Sequence, residues 1–142
     1  MRVNKEENMN RLAAFLHPAK LEEQKEIFIS ERFCDESGKP VPFIIKALSQ
    51  AENEAIGKKC LKGEKWDDVE YTQRLVVAAT VEPDFSDKEL LAAFSPDLAN
   101  PLLDPLQLPG RMLRTGEYAR LVNEIMKLSG FDKDMNVAAK NF

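Results

Sequence analysis

The chain has 142 residues, of which 44% are hydrophobic and 31% are charged. This length favours one domain with a sizeable core, and the composition is that of an ordinary globular protein. A formal net charge of −4 argues against general attraction to a nucleic-acid backbone. The first residues lack the apolar stretch of a signal peptide, and no apolar run has the length of a membrane span. The sequence therefore predicts a cytoplasmic protein that contacts neither membrane nor nucleic acid.

The chain begins with a predicted helix over residues 5–16. Four apolar side chains recur there at helical spacing, namely Met9, Leu12, Phe15 and Leu16. Pro18 ends this pattern because proline cannot continue a helix. We interpret the charged residues 20–26 that follow as a solvated helical extension or a linker.

A β-hairpin is predicted next. Residues 26–33 are rich in β-forming side chains, and residues 41–48 form the expected return strand. Between them lies a turn sequence in which Gly38 can adopt a positive φ. Pro42 cannot donate to a strand ladder, so its end of the second strand is expected at a sheet edge. Two strands alone are marginal in water, so one face of the hairpin should pack on helices.

Two helix starts follow the hairpin. Ser49 and Glu52 have capping-box spacing, in which each side chain satisfies the backbone N–H of the other. A second helix should begin at residues 67–70, where Trp66 can pack on Tyr71 across the cap. The apolar face of this second helix is predicted to contain Tyr71, Leu75 and Ala78.

The last third of the chain contains two further helix starts. Ser86 is the predicted cap of a short helix, with Phe85 and Leu90 at the two hydrophobic-staple positions. Thr115 is the predicted cap of the final helix, and Glu117 is favourably placed in its first turn. This helix should end at Gly130. The apolar stripe of this final helix is predicted to be Tyr118, Leu121, Val122 and Ile125.

These elements predict an α+β fold, mainly α-helical, in a single domain over residues 1–142. An N-terminal helix and charged linker would occupy residues 1–25, and the β-hairpin about residues 26–48. The hairpin would pack against a bundle of about four helices within residues 49–131. Residues 132–142 would form a frayed tail.

No set of residues in the sequence has the spacing of a catalytic, cofactor-binding or metal site. His17 is the only histidine, and Cys34 and Cys60 lack the spacing of metal ligands. A cysteine–histidine nucleophile pair remains an alternative, since such residues can meet in space. The carboxylates near the helix starts are explained by capping. We therefore predict no catalytic residue, cofactor or metal.

The segment over residues 100–113 combines three prolines with apolar side chains. Proline at this density prevents a long helix. The favoured interpretation is a buried crossover, and the alternative is an apolar surface that binds a partner. If this surface binds a partner, polar substitution of Leu103 and Leu106 should weaken the solubility of that partner and leave the thermal stability of this protein nearly intact. The candidate partner-binding residues are Leu102, Leu103, Leu106, Leu108, Met112 and Leu113.

Several stretches resemble the XkdN-like family of tail assembly chaperones from PBSX-type phages and prophages. The first is residues 31–56, E-R-F-C-D-E-S-G-K-P-V-P-F-I-I-K-A-L-S-Q-A-E-N-E-A-I. Later stretches are V-E-P-D-F-S-D-K-E-L, M-L-R-T-G-E-Y-A-R-L, S-G-F-D and a closing A-K-N. Each motif has low specificity alone, but their order and spacing match from about Arg11 to Asn141.

The resemblance implies a non-enzymatic protein of phage tail morphogenesis in the cytoplasm of the bacterial host. Its implied partners are the tape-measure protein, which it would keep soluble, and tail-tube subunits, which it would help to recruit. It would be absent from the mature virion. The first alternative is a structural virion component, such as a tail-completion or tube-associated protein. An enzyme that unites His17 with a cysteine or a carboxylate pair, and a DNA-binding regulator, are the remaining alternatives.

Overall fold

The computed structural model describes residues 5–19, 23–96 and 103–131, with side chains from residue 10 onward. The predicted tail over residues 132–142 lies outside the described residues. Within these ranges the chain forms the helices and strands α1 (Lys5–Leu16), β1 (Gln24–Ile27), β2 (Phe43–Lys46), α2 (Gln50–Cys60), β3 (Leu61–Lys62), β4 (Lys65–Trp66), α3 (Asp68–Ala79), β5 (Thr80–Glu82), α4 (Lys88–Phe94), α5 (Leu108–Met112) and α6 (Thr115–Leu128). The mainly helical α+β class is confirmed.

The predicted hairpin is part of a three-stranded antiparallel sheet with the order β1-β2-β5. Its two arms pair as expected, with Ile27 opposite Phe43. The prediction for Pro42 was wrong, because β2 is the central strand and Pro42 lies just before it. The missed strand, β5, has only three residues and follows α3 directly, so no alternating pattern marks it in the sequence.

Strand β1 begins and ends earlier than predicted. It starts within the charged segment at Gln24, and residues 28–33 form no regular strand. The turn itself is as expected, since Gly38 has a φ of 82° and Asp35 Oδ1 accepts from the backbone N–H of Lys39. Beyond Ile27 the two arms pair again only at the isolated bridge between Cys34 and Pro40.

The first two predicted helix caps are confirmed. The N–H of Glu52 donates to Ser49 Oγ at 3.2 Å, and the N–H of Ser49 donates to Glu52 Oε1 at 3.1 Å. Asp67 Oδ1 accepts from the N–H of Glu70 at 3.0 Å and so caps α3. Side chains at these helix ends thus satisfy backbone donors that have no partner within the helix.

The cap of α4 lies one residue later than predicted. Asp87, and not Ser86, accepts from the N–H of Leu90 at 3.0 Å. Ser86 instead donates its N–H to Asp84 Oδ1 at 2.9 Å, which closes a turn before the helix. Asp84 therefore competes for the predicted cap position and moves the helix start by one residue.

Helix α6 begins at Thr115, so Arg114 and not Thr115 occupies the cap position. Glu117 Oε1 accepts from the N–H of Arg114 at 2.8 Å, so a residue of the first turn satisfies the N–H of the cap residue. The end of the helix is as predicted, since Gly130 has a φ of 90°. The N–H of Phe131 then donates to Met126 O at 3.1 Å, which satisfies a terminal carbonyl group.

The core lies between one face of the sheet and helices α3, α4, α5 and α6. Leu121 and Ile125 are fully buried, which confirms the apolar stripe of α6. On α3 the prediction for Ala78 was wrong, because Ala78 is exposed and Ala79 is buried. The buried core residues are Ile27, Ile29, Phe43, Ile45, Leu75, Val76, Ala79, Phe85, Leu91, Leu103, Leu108, Met112, Leu113, Leu121 and Ile125.

Candidate partner-binding surfaces

The proline-rich segment between α4 and α6 contributes most of its described apolar side chains to the core. Of the candidate partner-binding residues, those with buried side chains are Leu103, Leu108, Met112 and Leu113. Leu106 is half-buried, and Leu102 lies outside the described residues. The isolated chain thus gives this segment a structural role, and contact with a partner at these residues stays a prediction.

Backbone turns allow this segment to be buried without a long helix. Asp104 accepts the N–H of Leu106 through its carboxylate at 2.9 Å and the N–H of Gln107 through its carbonyl oxygen at 2.8 Å. The N–H of Leu103 donates to Ser95 Oγ at 3.2 Å. These bonds satisfy the polar backbone groups that burial would otherwise leave unpaired. Because the Leu103 side chain is buried, we now expect its polar substitution to lower thermal stability.

An ion pair between Glu117, whose side chain is largely buried, and Arg32, whose side chain is 38% exposed, joins the loop after β1 to the start of α6. Arg32 Nε donates to Glu117 Oε2 at 3.2 Å, and Arg32 Nη2 donates both to Glu117 Oε1 and to the carbonyl of Met112. Arg120 on the same helix donates to the carbonyl of Ile29. One helix therefore holds two points of the loop, and the guanidinium of Arg32 also binds the end of α5.

The environment of Glu117 favours its ionised form. The Arg32 hydrogen bond, with smaller contributions from Ser30 and the N–H of Arg114, lowers the pKa of Glu117 to about 2. The sequence alone predicted only a favourable helix-start charge here. Residues Arg32 and Glu117 are 85 positions apart, so no local pattern could reveal their pairing.

An apolar groove lies beside this loop. It has a volume of about 320 Å³ and is lined by Phe28, Ile29, Ser30, Glu31, Pro40 and Arg120. Phe28 is largely exposed, although Ile27 and Ile29 on either side of it are buried. The loop thus presents one large aromatic side chain to solvent while its neighbours anchor it to the core.

Two further surfaces carry exposed apolar side chains. On α1 these are Leu12, Phe15 and Leu16. On the small β3–β4 hairpin, Leu61 and Trp66 are cross-strand partners and both are exposed. The predicted packing of Trp66 on Tyr71 is confirmed, since the centroids of the two rings lie 5.3 Å apart.

The residues with reactive side chains do not form a recognisable centre. His17 is exposed beyond the end of α1, and Cys34 is exposed in the turn region. Cys60 is buried at the end of α2, and this burial raises the pKa of its thiol. Among the described residues there is no cluster of histidine, cysteine and carboxylate groups that could hold a metal ion. In the same residues no helix is long and apolar enough to cross a bilayer.

Comparison with known proteins agrees with the resemblance noted in the sequence. Residues 12–140 match the family described as phage XkdN-like tail assembly chaperone proteins. Over 132 residues the chain is 36% identical to the uncharacterized protein YqbN of Bacillus subtilis (strain 168), which covers 84% of this chain and 85% of that protein. Over 143 residues it is 32% identical to the phage-like element PBSX protein XkdN of the same strain, which covers 92% of each.

The fold is also shared with a solved relative. The crystal structure of the protein YqbN superposes with a TM-score of 0.68 at 32% sequence identity. The match covers 84% of this chain and 96% of that chain, so the likeness extends over nearly the whole of the relative. The family match and the identity to XkdN span the domain rather than a single motif. This chain belongs to the family of phage XkdN-like tail assembly chaperones.

Proposed function

We propose that this protein binds the tape-measure protein during phage tail assembly, keeps it soluble and helps to recruit tail-tube subunits around it. It acts without catalysis, in the cytoplasm of the bacterial host, and is left out of the mature virion. The observation that carries the proposal is the chaperone-family match over residues 12–140. The 32% identity to the PBSX protein XkdN over 92% of both chains supports it.

A chaperone of this kind needs exposed apolar side chains on a stable domain, because its client exposes apolar helical faces before assembly. The Leu61–Trp66 pair on the β3–β4 hairpin meets this requirement. The indole of Trp66 is held in place, since it packs on Tyr71 and its Nε1 donates to Asp68 Oδ1. A fixed, exposed tryptophan loses little conformational entropy on binding, which suits it to anchor a partner.

The proline-rich segment has a smaller part in this proposal than its sequence indicates. Among its described candidate residues, Leu106 is half-buried and within reach of a client. Contact with Leu103, Leu108, Met112 or Leu113 would require the core to open, since these side chains are buried. We therefore place client contact at Leu61 and Trp66, with Leu106 as a further candidate.

Co-expression with the tape-measure protein of the same tail gene cluster tests this proposal. We expect the protein to raise the soluble fraction of the tape measure and to co-purify with it. Leu61→Asp should reduce both effects, because it places a charge at the proposed contact. Phe131→Asp is the matched control, as it changes another exposed apolar side chain, three residues beyond the end of α6. A tape measure that is equally insoluble with and without the protein would contradict the chaperone role.

Mass spectrometry of purified phage particles tests the second part of the proposal. The protein should be present in lysates that assemble tails and absent from purified mature tails. Its recovery in mature tails at a constant ratio to the tube protein would instead indicate a structural virion component. The two experiments are independent, so binding to the tape measure and release from the particle can be judged separately.

A further inference from the structure

The β3–β4 hairpin folds back onto the helix that precedes it. Strand β3 begins directly after α2, and the N–H of Asp67 donates to the carbonyl of Cys60 at 3.0 Å, which closes the base of the hairpin. Gly63 lies in the turn between the strands and has a φ of 66°, which glycine adopts readily. Trp66 in β4 therefore returns to α2, where its indole lies against Gly57.

Gly57 lies at a position where a glycine needs an explanation. In a helix interior, glycine is less favourable than every residue except proline. Gly57 lies within α2, four residues before the cap at Leu61, and its backbone does not have the positive φ that commonly requires glycine. Neither a turn nor a helix end therefore accounts for this glycine.

The indole of Trp66 gives a physical reason for Gly57. A Cβ atom added at Gly57 would lie 3.5 Å from Cη2 and 3.7 Å from Cζ3 of Trp66, which are ordinary van der Waals distances. A larger side chain has further atoms beyond its Cβ, and these would compete with the ring for space. Of the six glycines in the sequence, Gly57 is the only one at which an added Cβ would meet another described side chain within 4 Å.

The indole is also fixed by α3. Its ring centroid lies 5.3 Å from that of Tyr71, and its Nε1 donates to Asp68 Oδ1 at 2.5 Å. The hydroxyl of Tyr71 in turn donates to Asn53 on α2, so both helices hold this aromatic pair. We define the seat of Trp66 as Gly57, Asp68 and Tyr71. Because the N–H of the indole is its only polar group and is bound within the chain, the exposed part of the ring offers an apolar contact.

We propose that Gly57 is a positioning residue for the client contact, because its lack of a side chain lets the indole of Trp66 rest on α2. This inference rests on the proposed function, since it concerns the same contact. Leu61 is the cross-strand partner of Trp66, so the two side chains share one face of the hairpin. The seat holds the indole in one place while 47% of Trp66 stays exposed. An anchor that is fixed before binding loses less conformational entropy when the client binds.

The fluorescence of Trp66 tests the seat without any client, because it is the only tryptophan in the chain. Gly57→Val should lower the emission anisotropy and increase quenching by acrylamide, since valine has little rotamer freedom in a helix with which to avoid the ring. Gly57→Ala should keep the wild-type values, because its Cβ fits at van der Waals distance. Ala55→Val is the matched control, as it places the same side chain at an exposed position of α2.

Co-expression with the tape-measure protein tests the positioning role. Gly57→Val should reduce co-purification of the tape measure several-fold, whereas Gly57→Ala and Ala55→Val should retain it. In a Trp66→Ala background, Gly57→Val should cause no further loss, because no indole remains to be displaced. Circular dichroism should show that each variant keeps its fold. If Gly57→Val does not fold, Gly57→Leu provides the same test with a residue that favours helices.

Three results would overturn the proposal. These are wild-type fluorescence in Gly57→Val, undiminished co-purification in Gly57→Val, and a further loss of binding when Gly57→Val is added to Trp66→Ala. A wild-type protein that does not bind the tape measure would instead contradict the proposed function. In that case the fluorescence of the protein alone would still decide whether Gly57 seats the indole, so the two failures can be told apart.

Discussion

Helix α1 and the proline-rich segment before α6 both contain several apolar side chains, but these two regions differ in how far those side chains are buried. In α1 the apolar residues have ideal helical spacing, and Leu12, Phe15 and Leu16 are nevertheless exposed. In the proline-rich segment no regular period exists, and Leu103 and Leu108 are buried. Periodicity thus tells how a helix arranges its side chains, whereas burial depends on whether another part of the chain covers them.

The physical reason for this difference lies in the neighbours of each region. The proline-rich segment is held between α4 and α6, and α5 packs on both. It can enter the core because turns around Asp104 satisfy its backbone. Helix α1 precedes the sheet at one end of the domain and has no comparable contact. Its stripe is therefore left exposed among the described residues.

The largest expected effect comes from truncating the proline-rich segment in the core. Leu108→Ala should lower the free energy of unfolding by about 2–5 kcal/mol, because Leu108 is fully buried. Leu12→Ala on α1 is the matched control and should change the free energy of unfolding by less than about 0.5 kcal/mol. Urea unfolding of the two variants measures both losses. Equal losses at the two sites would contradict the contrast between these regions.

An intermediate effect is expected at the ion pair that fixes the end of this segment to the loop. Glu117→Gln should lower the unfolding midpoint, because it leaves the guanidinium of Arg32 without its anionic partner. Glu124→Gln is the control on the same helix, since its pair with Lys25 spans 3.5 Å and is more exposed. A smaller loss for Glu117→Gln than for Glu124→Gln would show that the pair does not hold the loop.

The same ion pair gives a pH dependence of known sign. The folded-state pKa of Glu117 is about 2, below its ordinary value of 4.5. Its contribution to stability is therefore complete above pH 4.5 and is lost as the pH falls toward 2. The difference in unfolding midpoint between the wild type and Glu117→Gln should shrink over this window. A difference that stays constant from pH 6 to pH 3, both approximate settings around that window, would exclude Glu117 as its source.

The smallest expected effect separates two neighbouring candidates for the cap of α4, the helix that leads into the proline-rich segment. Asp87→Ala should cost about 1 kcal/mol, because Asp87 accepts the N–H of Leu90. Ser86→Ala should cost much less, since the side chain of Ser86 does not cap the helix. Thermal unfolding of the two variants measures this difference. The reverse order of losses would restore Ser86 as the cap.

Local patterns predicted the helices well, because caps and stops act within a few residues. The capping box at Ser49, the cap at Asp67 and the glycine end at Gly130 are all observed as predicted. The caps predicted at Ser86 and Thr115 are each displaced by one residue, because Asp87 accepts the N–H of Leu90 and Glu117 accepts the N–H of Arg114. The hydrogen bonds at these helix starts are also local, but the sequence pattern does not indicate which of several possible caps forms.

Nonlocal contacts could not be predicted in the same way. The third strand, β5, is too short to show alternation, and it pairs with a strand about 36 residues earlier in the chain. The Arg32–Glu117 pair joins residues 85 positions apart. The candidate partner-binding residues were proposed because they are apolar. A leucine in the core and a leucine that contacts a partner are equally apolar, so this property does not separate them.

The sequence by itself determined the helix starts and stops, the mainly helical α+β class and the resemblance to the XkdN-like chaperones. Each of these depends on neighbouring residues or on their order along the chain. Only the tertiary structure decided that the proline-rich segment enters the core while the stripe of α1 stays exposed. Burial is a property of what lies opposite a side chain, and in this fold the opposite surface comes from distant parts of the chain.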